Sequence, residues 1–187
     1  MTWPEGYVHY PQLEMSFGDV VIRPIRFDDG EIIRGWRNAQ MKVLRQNEPI
    51  TQLAQETYFK TVVHESLTAE NPEQILLSME VQKKLVAYGG LVNISWANRR
   101  AELSFLTSGD LPIEKYEYYF STFISYILNV AQGQLGLHKI FTETYEFRHE
   151  HIFILEKCGF KIEGRLIDHN IDSDEFCDSI IHGVILV

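Results

Sequence analysis

Cysteine is nearly absent from this chain. Its only two, Cys158 and Cys177, make no disulfide framework, so a reducing cytoplasm suits it, and each reads as a small buried hydrophobe. Long hydrophobic runs are absent too, and no window is apolar and long enough to span a membrane. Residues 1–17, MTWPEGYVHYPQLEMSF, lack the basic and apolar regions of a signal peptide. Basic charge is in deficit: 17 Lys and Arg against 26 Asp and Glu leave a net charge of −9. That argues against nucleic acid as the main partner, although one local basic pocket can still hold a small anion. No internal repeat, low-complexity run or linker divides the sequence. Its 187 residues suit one α/β domain with a sizeable core, read as an N-terminal arm at 1–17 and a single domain at 18–187.

Taken in order, the arm carries Trp3, Tyr7, Tyr10 and Phe17 and reads as irregular, packing on the domain or on a second subunit of a homodimer. A first strand follows at Asp19–Arg26. Asp28 or Asp29 is a plausible N-cap for a helix through Asn38, with Ile32, Ile33 and Trp36 as its apolar stripe. Thr51 starts a second helix through Glu65, with Leu53, Phe59, Val62 and Val63 facing inward. Gln74–Val81 and Leu85–Trp96 read as strands around a tip at Gln82-Lys83-Lys84, the second interrupted by Gly89-Gly90. Arg100–Thr107 is the next strand, and Tyr116–Ala131 a helix with Phe120, Phe123, Ile127 and Val130 or Ala131 on one face. The acidic run Asp168–Glu175 fails calcium-loop spacing, with Ser173 at the sixth position and Ser179 at the twelfth. It reads as a solvated hairpin turn.

The most informative stretch is Leu137–Gly164, LHKIFTETYEFRHEHIFILEKCGFKIEG. Lys139–Tyr145 suits a strand. Phe147–Lys157 is helical, with Ile152, Leu155 and, one turn back, Phe147 or His151 on one face and Phe153 and Ile154 flanking it, and Gly159 stands where a helix end wants φ > 0. Phe160–Leu166 is a strand again. His149-Glu150-His151 lacks zinc spacing, because histidines two apart on a helix face different ways; no metal site is read.

Leu137, Lys139, Ile140, Glu156, Lys157, Gly159, Phe160, Glu163 and Gly164 form a pattern that resembles the C-terminal half of GNAT N-acetyltransferases. Asp178–Gly183 resembles the last strand of the branch with ribosomal-protein N-terminal acetyltransferases. Trp36-Arg37-Asn38, Arg45, Pro49-Ile50-Thr51, Asn93 and Arg99–Glu102 are similar to acetyltransferases of nucleotide-linked amino sugars. The resemblance covers roughly Val20–Val187. It implies an α+β fold, a central mixed, mostly antiparallel sheet flanked by helices, with acetyl-CoA as co-substrate and a primary amine as acceptor.

Acetyl transfer needs N–H groups for the donor's pyrophosphate, a donor to the thioester oxygen, and groups that take and return a proton. On the resemblance, backbone groups of Phe105, Leu106 and Thr107 meet the pantetheine arm. The family's glycine-rich loop aligns with Ile113–Tyr118, placing Tyr116 and Tyr118 at the glycine positions, Glu114 and Glu117 as nearby negative charge, and Lys115 as the local cation. An alignment shift would move the loop to Thr107–Asp110, which contains Gly109. Arg148 stands at a common Asn position and Leu155 at the place of the usual Tyr acid, so Tyr145, His149 or His151 would have to substitute. Glu102 is the candidate general base; the alternative is an exposed carboxylate paired with Arg99 or Arg100. Arg37, Asn38, Arg45 and Tyr88 are the candidate acceptor residues, an arginine pair being suited to a phosphate or carboxylate; Trp96 could also line that cleft.

The function expected is N-acetylation of a small-molecule amine, such as a nucleotide-linked amino sugar. A protein N-terminal amine is the alternative acceptor. A GNAT-fold binding module without turnover is the alternative of another class, favoured by the missing glycines, Leu155 and Arg148.

Overall fold

Two adjacent glycines govern how closely the strands of the first half approach one another. The computed structural model describes residues 2–172 and 175–187. They group into two compact units, Met1–Ile94 with Ser104–Pro112, and Ser95–Leu103 with Ile113–Val187. In the first unit β1 (Met15–Phe17), β2 (Val20–Pro24), β3 (Ile75–Val81) and β4 (Lys84–Ser95) pair antiparallel in chain order. Gln82 and Lys83 both have positive φ, as a two-residue hairpin turn requires. Strand β4 runs unbroken through Gly89 and Gly90, opposite Leu77 and Leu76, where the sequence suggested an interruption. The glycines serve close approach instead. A Cβ on Gly89 would lie 2.3 Å from the Ser104 carbonyl oxygen, and one on Gly90 (φ +147°) 1.9 Å from that of Ile75.

The expected irregular arm is part of this unit's core. It contains β1, and Tyr7 and Leu13 are buried. The Tyr7 hydroxyl accepts from the Leu76 N–H at 2.5 Å and donates to the Leu76 carbonyl at 3.3 Å.

Helix α1 (Asp29–Ala39) is anchored by charge rather than by a side-chain cap. Asp29 takes a bidentate bond from the buried Arg23 guanidinium, at 2.8 and 2.9 Å. It also accepts from Ser78 Oγ at 2.7 Å and the Arg26 N–H at 2.8 Å. Arg23 reaches Glu80 as well. This network fixes where α1 begins, and with it the arginine two turns later. Ile33 is buried but Ile32 faces out.

Helix α2 (Gln52–Tyr58) starts as expected at Thr51, whose Oγ1 accepts from the Ala54 N–H at 3.2 Å. It continues past Glu65, through a wide π turn at Phe59–Val63, into α3 (His64–Thr68). The wide turn breaks the 3.6-residue period on which the inward face was read. Phe59 and Val63 are buried, whereas Leu53 and Val62 are 75% and 45% exposed.

Strand β5 (Arg100–Thr107) belongs by its first half to the second unit and by its second half to the first. The second unit also holds β6 (Lys139–Tyr145), β7 (Lys161–Asp172) and β8 (Glu175–Ile185), in the order β5-β6-β8-β7. Only β5 and β6 run parallel among the described pairs, and α4 (Ile113–Gly133) crosses between them. The Leu137–Gly164 stretch does form strand, helix and strand, but β8 lies between its two strands. Phe120, Phe123, Ile127, Val130 and Ala131 of α4 are buried, as their spacing predicts.

Helix α5 (His149–Lys157) buries His151, Ile154 and Leu155, so Ile154 is core where it was read as flanking, while Phe153 faces out. Gly159 has φ +93°, the conformation expected past that helix. Asp168–Asp172 is the end of β7 rather than a turn, with a register shift between Leu166 and Asn170; Ser173 lies outside the described residues. Both thiols are half-buried. The fold is α+β, with mostly antiparallel strands and flanking helices. No helix among the described residues is long and apolar enough to cross a membrane.

Candidate active site

A cavity of about 410 Å³ opens within the first unit. Helix α1 contributes Arg37, the α2 helix and its π turn contribute Tyr58 and Phe59, β4 contributes Tyr88, and Gln74 enters just before β3. Arg37 Nη1 donates to the Tyr88 hydroxyl at 3.0 Å and Nε to Gln46 Oε1 at 3.2 Å. The Tyr58 hydroxyl donates to Gln74 Oε1 at 2.9 Å. Burial pushes the Tyr58 phenol up, against the opposing pull of Gln74 and Arg37, and keeps it neutral. Two of the four expected acceptor residues, Arg37 and Tyr88, therefore meet at one wall.

The other two do different work. Asn38 laces α1 to the following loop: Nδ2 donates to the Ile50 carbonyl at 2.9 Å, while Oδ1 accepts from the Ile50 N–H at 2.8 Å and from Gln46 Nε2 at 3.0 Å. Arg45 is exposed and lines no part of this cavity. The arginine pair is thus a single arginine. Trp96 does not line the cavity either. Sequence reasoning missed Tyr58 and Gln74, because the π turn hides the helical period and Gln74 carries no motif. A larger groove of about 1100 Å³ near Trp3, Phe27 and His64 is also present in this unit. It contains none of the expected acceptor residues, and its cations Lys60 and Arg26 already approach Glu56 and Glu80.

On β5, Glu102 stands opposite Phe141 of β6 and is 5% exposed. That excludes the exposed-carboxylate alternative. The neighbouring arginines are occupied elsewhere: Arg99 Nε donates to the Gly136 carbonyl at 2.7 Å, and Arg100 lies 5.6 Å from the Phe141 ring centre. Phe105, Leu106 and Thr107 are buried. The Thr107 carbonyl accepts from Gln40 Nε2 at 2.7 Å, a contact the sequence did not announce. Tyr145 ends β6 with its ring 5.5 Å from that of Phe147.

Ile113–Tyr118, aligned with the glycine-rich loop, forms the first turns of α4. The link from β5 to α4 is residues 108–112, which include Gly109, so the alternative alignment is nearer the actual loop. Tyr116 is used in packing α4 against α5: its hydroxyl lies 2.6 Å from His151 Nδ1, and Phe120 stacks on the imidazole at 4.4 Å. Arg148, just ahead of α5, reaches both the hydroxyl and Nδ1 at 3.4 Å. Arginine only donates, so Nδ1 is the accepting nitrogen and Tyr116 donates to it. Burial, then the charge of Arg148, holds His151 well below its ordinary value, and it is neutral. Burial pushes the Tyr116 phenol up, though Arg148 opposes it. Glu117 pairs with Lys157, while Lys115 and Tyr118 are exposed. Leu155 is core. No group of three or more metal-ligating side chains occurs among the described residues.

A family model described as an acetyltransferase (GNAT) domain matches residues 22–181. The chain belongs to the GNAT acetyltransferase family. Members of this family use acetyl-CoA as co-substrate. This GNAT chain is 26% identical over 99 residues to spermidine N(1)-acetyltransferase of Vibrio cholerae serotype O1, covering 53% of the chain and 56% of that protein, or about half of each. Among solved structures, a spermidine N-acetyltransferase from Vibrio cholerae in complex with CoA and spermine superposes with a TM-score of 0.78. Identity is 20%, and the match covers 91% of this chain and 97% of that one. A dodecameric structure of a Vibrio cholerae spermidine N-acetyltransferase gives a TM-score of 0.76 at 19% identity, covering 91% and 95%.

Proposed function

We propose that this chain is an acetyl-CoA-dependent N-acetyltransferase whose acceptor is a small molecule with a primary amine. The match to the GNAT domain across residues 22–181 carries the reading. The cavity holding Arg37 and Tyr88 supports it, because it has the volume of a small-molecule site. In this mechanism the neutral amine attacks the thioester carbon and the C–S bond breaks. Glu102, a buried carboxylate on β5, takes the proton that the nitrogen loses, and the departing thiolate gains one from a donor acid. Helix α4 opens at Ile113, and its first-turn N–H groups, which have no partner within the helix, suit the pyrophosphate of the donor.

The relatives described above are named for polyamine acetylation, and they lend no support to a nucleotide-linked amino sugar as acceptor. A binding module without turnover is the second reading. It is favoured by Leu155, a core residue where the resemblance would put a tyrosine acid.

Thiol release from acetyl-CoA in the presence of an amine panel tests the reading. Turnover with any small amine supports it, and Glu102→Gln should then slow the reaction about a hundredfold or more. An unchanged pH–rate profile in that variant removes Glu102 from the role of base. Acetyl-CoA binding without turnover of any amine selects the module.

A further inference from the structure

We infer that the acceptor's amine is carried on a molecule that also bears an anionic head, a carboxylate or phosphoryl group, held by Arg37 and Gln74. This rests on reading the 410 Å³ cavity as the acceptor pocket.

Three observations converge. Among the described residues no aspartate or glutamate lines the cavity; apart from Arg37 its walls are neutral, with Ile33, Phe59, Leu76 and Val92 among the apolar ones. Arg37 has only neutral partners, Gln46 Oε1 and the Tyr88 hydroxyl, which leaves guanidinium N–H groups without an acceptor. Gln74 Nε2 is buried in the wall with no hydrogen-bond partner, while its Oε1 is already engaged by Tyr58. The pocket therefore presents a half-buried cation and an unanswered donor, and both call for acceptor oxygens.

A polyamine is the wrong complement. Its second and third ammonium groups would lose water to an apolar wall that offers them a guanidinium and no carboxylate. A carboxylate or phosphoryl head supplies oxygens to Arg37 and Gln74 together, and an alkyl spacer suits the isoleucine and leucine surface. A short ω-amino acid or ω-aminophosphonate has this shape.

The test is calorimetric titration of the full chain with matched probes: 5-aminopentanoate, 5-aminopentylphosphonate, 1,5-diaminopentane and spermidine. At least one anionic probe should bind about tenfold or more tightly than the diamine, the worth of one hydrogen bond to a charged group. The two anionic arms distinguish carboxylate from phosphoryl. Arg37→Gln should weaken the preferred probe by a similar factor, whereas Arg37→Lys, which keeps the charge, should restore part of the affinity. Gln74→Leu should weaken the probe too.

Equal or tighter binding of diamine or spermidine overturns the inference. So does the absence of anionic-probe binding up to millimolar concentration, or an affinity unchanged by Arg37→Gln. The transferase reading fails separately. If acetyl-CoA does not bind while an anionic amine does, the pocket assignment stands and the transferase falls. Turnover of spermidine with no anionic amine accepted reverses that outcome.

Discussion

Asp29→Asn is the change that most directly probes how α1 is held. Arg23 is 3% exposed and its charge is met by Asp29 and Glu80; Asp29, at 6%, collects bonds from Arg23, Ser78 and the Arg26 N–H. The substitution keeps the shape but removes the charge and turns one accepting oxygen into a donor beside the guanidinium. Removing one partner of a buried pair costs about 3–5 kcal/mol, far more than breaking an exposed one. At roughly 2–4 °C per kcal/mol for a chain of this size, the melting temperature should fall by roughly 6–20 °C.

Urea unfolding followed by circular dichroism measures the loss, with an unchanged m-value as the sign that the native state is otherwise intact. The pH dependence gives a second readout. Burial raises the Asp29 carboxyl, but Arg23, the Arg26 N–H and Ser78 outweigh it and hold it low. Its contribution is therefore present above the unfolded carboxylate value, about 3.9, and is lost as pH falls through the lower folded value. The variant should lack that part of the acid limb. A loss under about 1 kcal/mol, the level of a surface pair, would refute the reasoning.

Two other outcomes are expected. Gly89→Ala should destabilise by about 1–3 kcal/mol or more, because the atom that its Cβ meets is the Ser104 backbone oxygen and no side chain can swing away; a neutral result in urea would show that β4 and β5 shift freely. Lowering the pH below about 6.5 should destabilise the wild type, because His151 is held neutral in the fold and the unfolded chain protonates first. That contribution approaches at most about 1.4 kcal/mol per pH unit until the folded value is reached. His151→Phe, which keeps the stacking surface on Phe120, should flatten this limb; an identical pH profile would sink the assignment.

The order of strands and helices was legible because its signals are local. β-branched and aromatic residues without Gly or Pro mark β6, apolar spacing marks α4, Thr51 marks a helix start and Gly159 a helix end. What failed to show was set by distant partners. Nothing near Asp29 announces that it belongs to Arg23 and Ser78 rather than to a cap. Gly89 looks like a break until β5 is laid beside it. The site divides the same way. Arg37 was picked out by resemblance and Tyr88 as an aromatic on a long strand, and the two do share a wall. Asn38 and Arg45 were picked by the same resemblance as Arg37, yet one is consumed by its own loop and the other stays outside the cavity. Tyr116, aligned to a glycine, is legible only as the partner of a histidine 35 positions away.

The wide turn at Phe59–Val63 has a consequence for how this pocket can change. A turn of that kind stores one surplus residue inside an otherwise regular helix. Excising it would let the ordinary pitch resume and rotate everything downstream by about a quarter-turn relative to everything upstream. Tyr58 and Phe59 stand at this seam, and both line the cavity. Single-residue insertions and deletions here would re-aim the pocket's aromatic wall in one step while leaving the helix continuous. Length variation at this seam is thus a route to a reshaped cavity that point substitution does not offer.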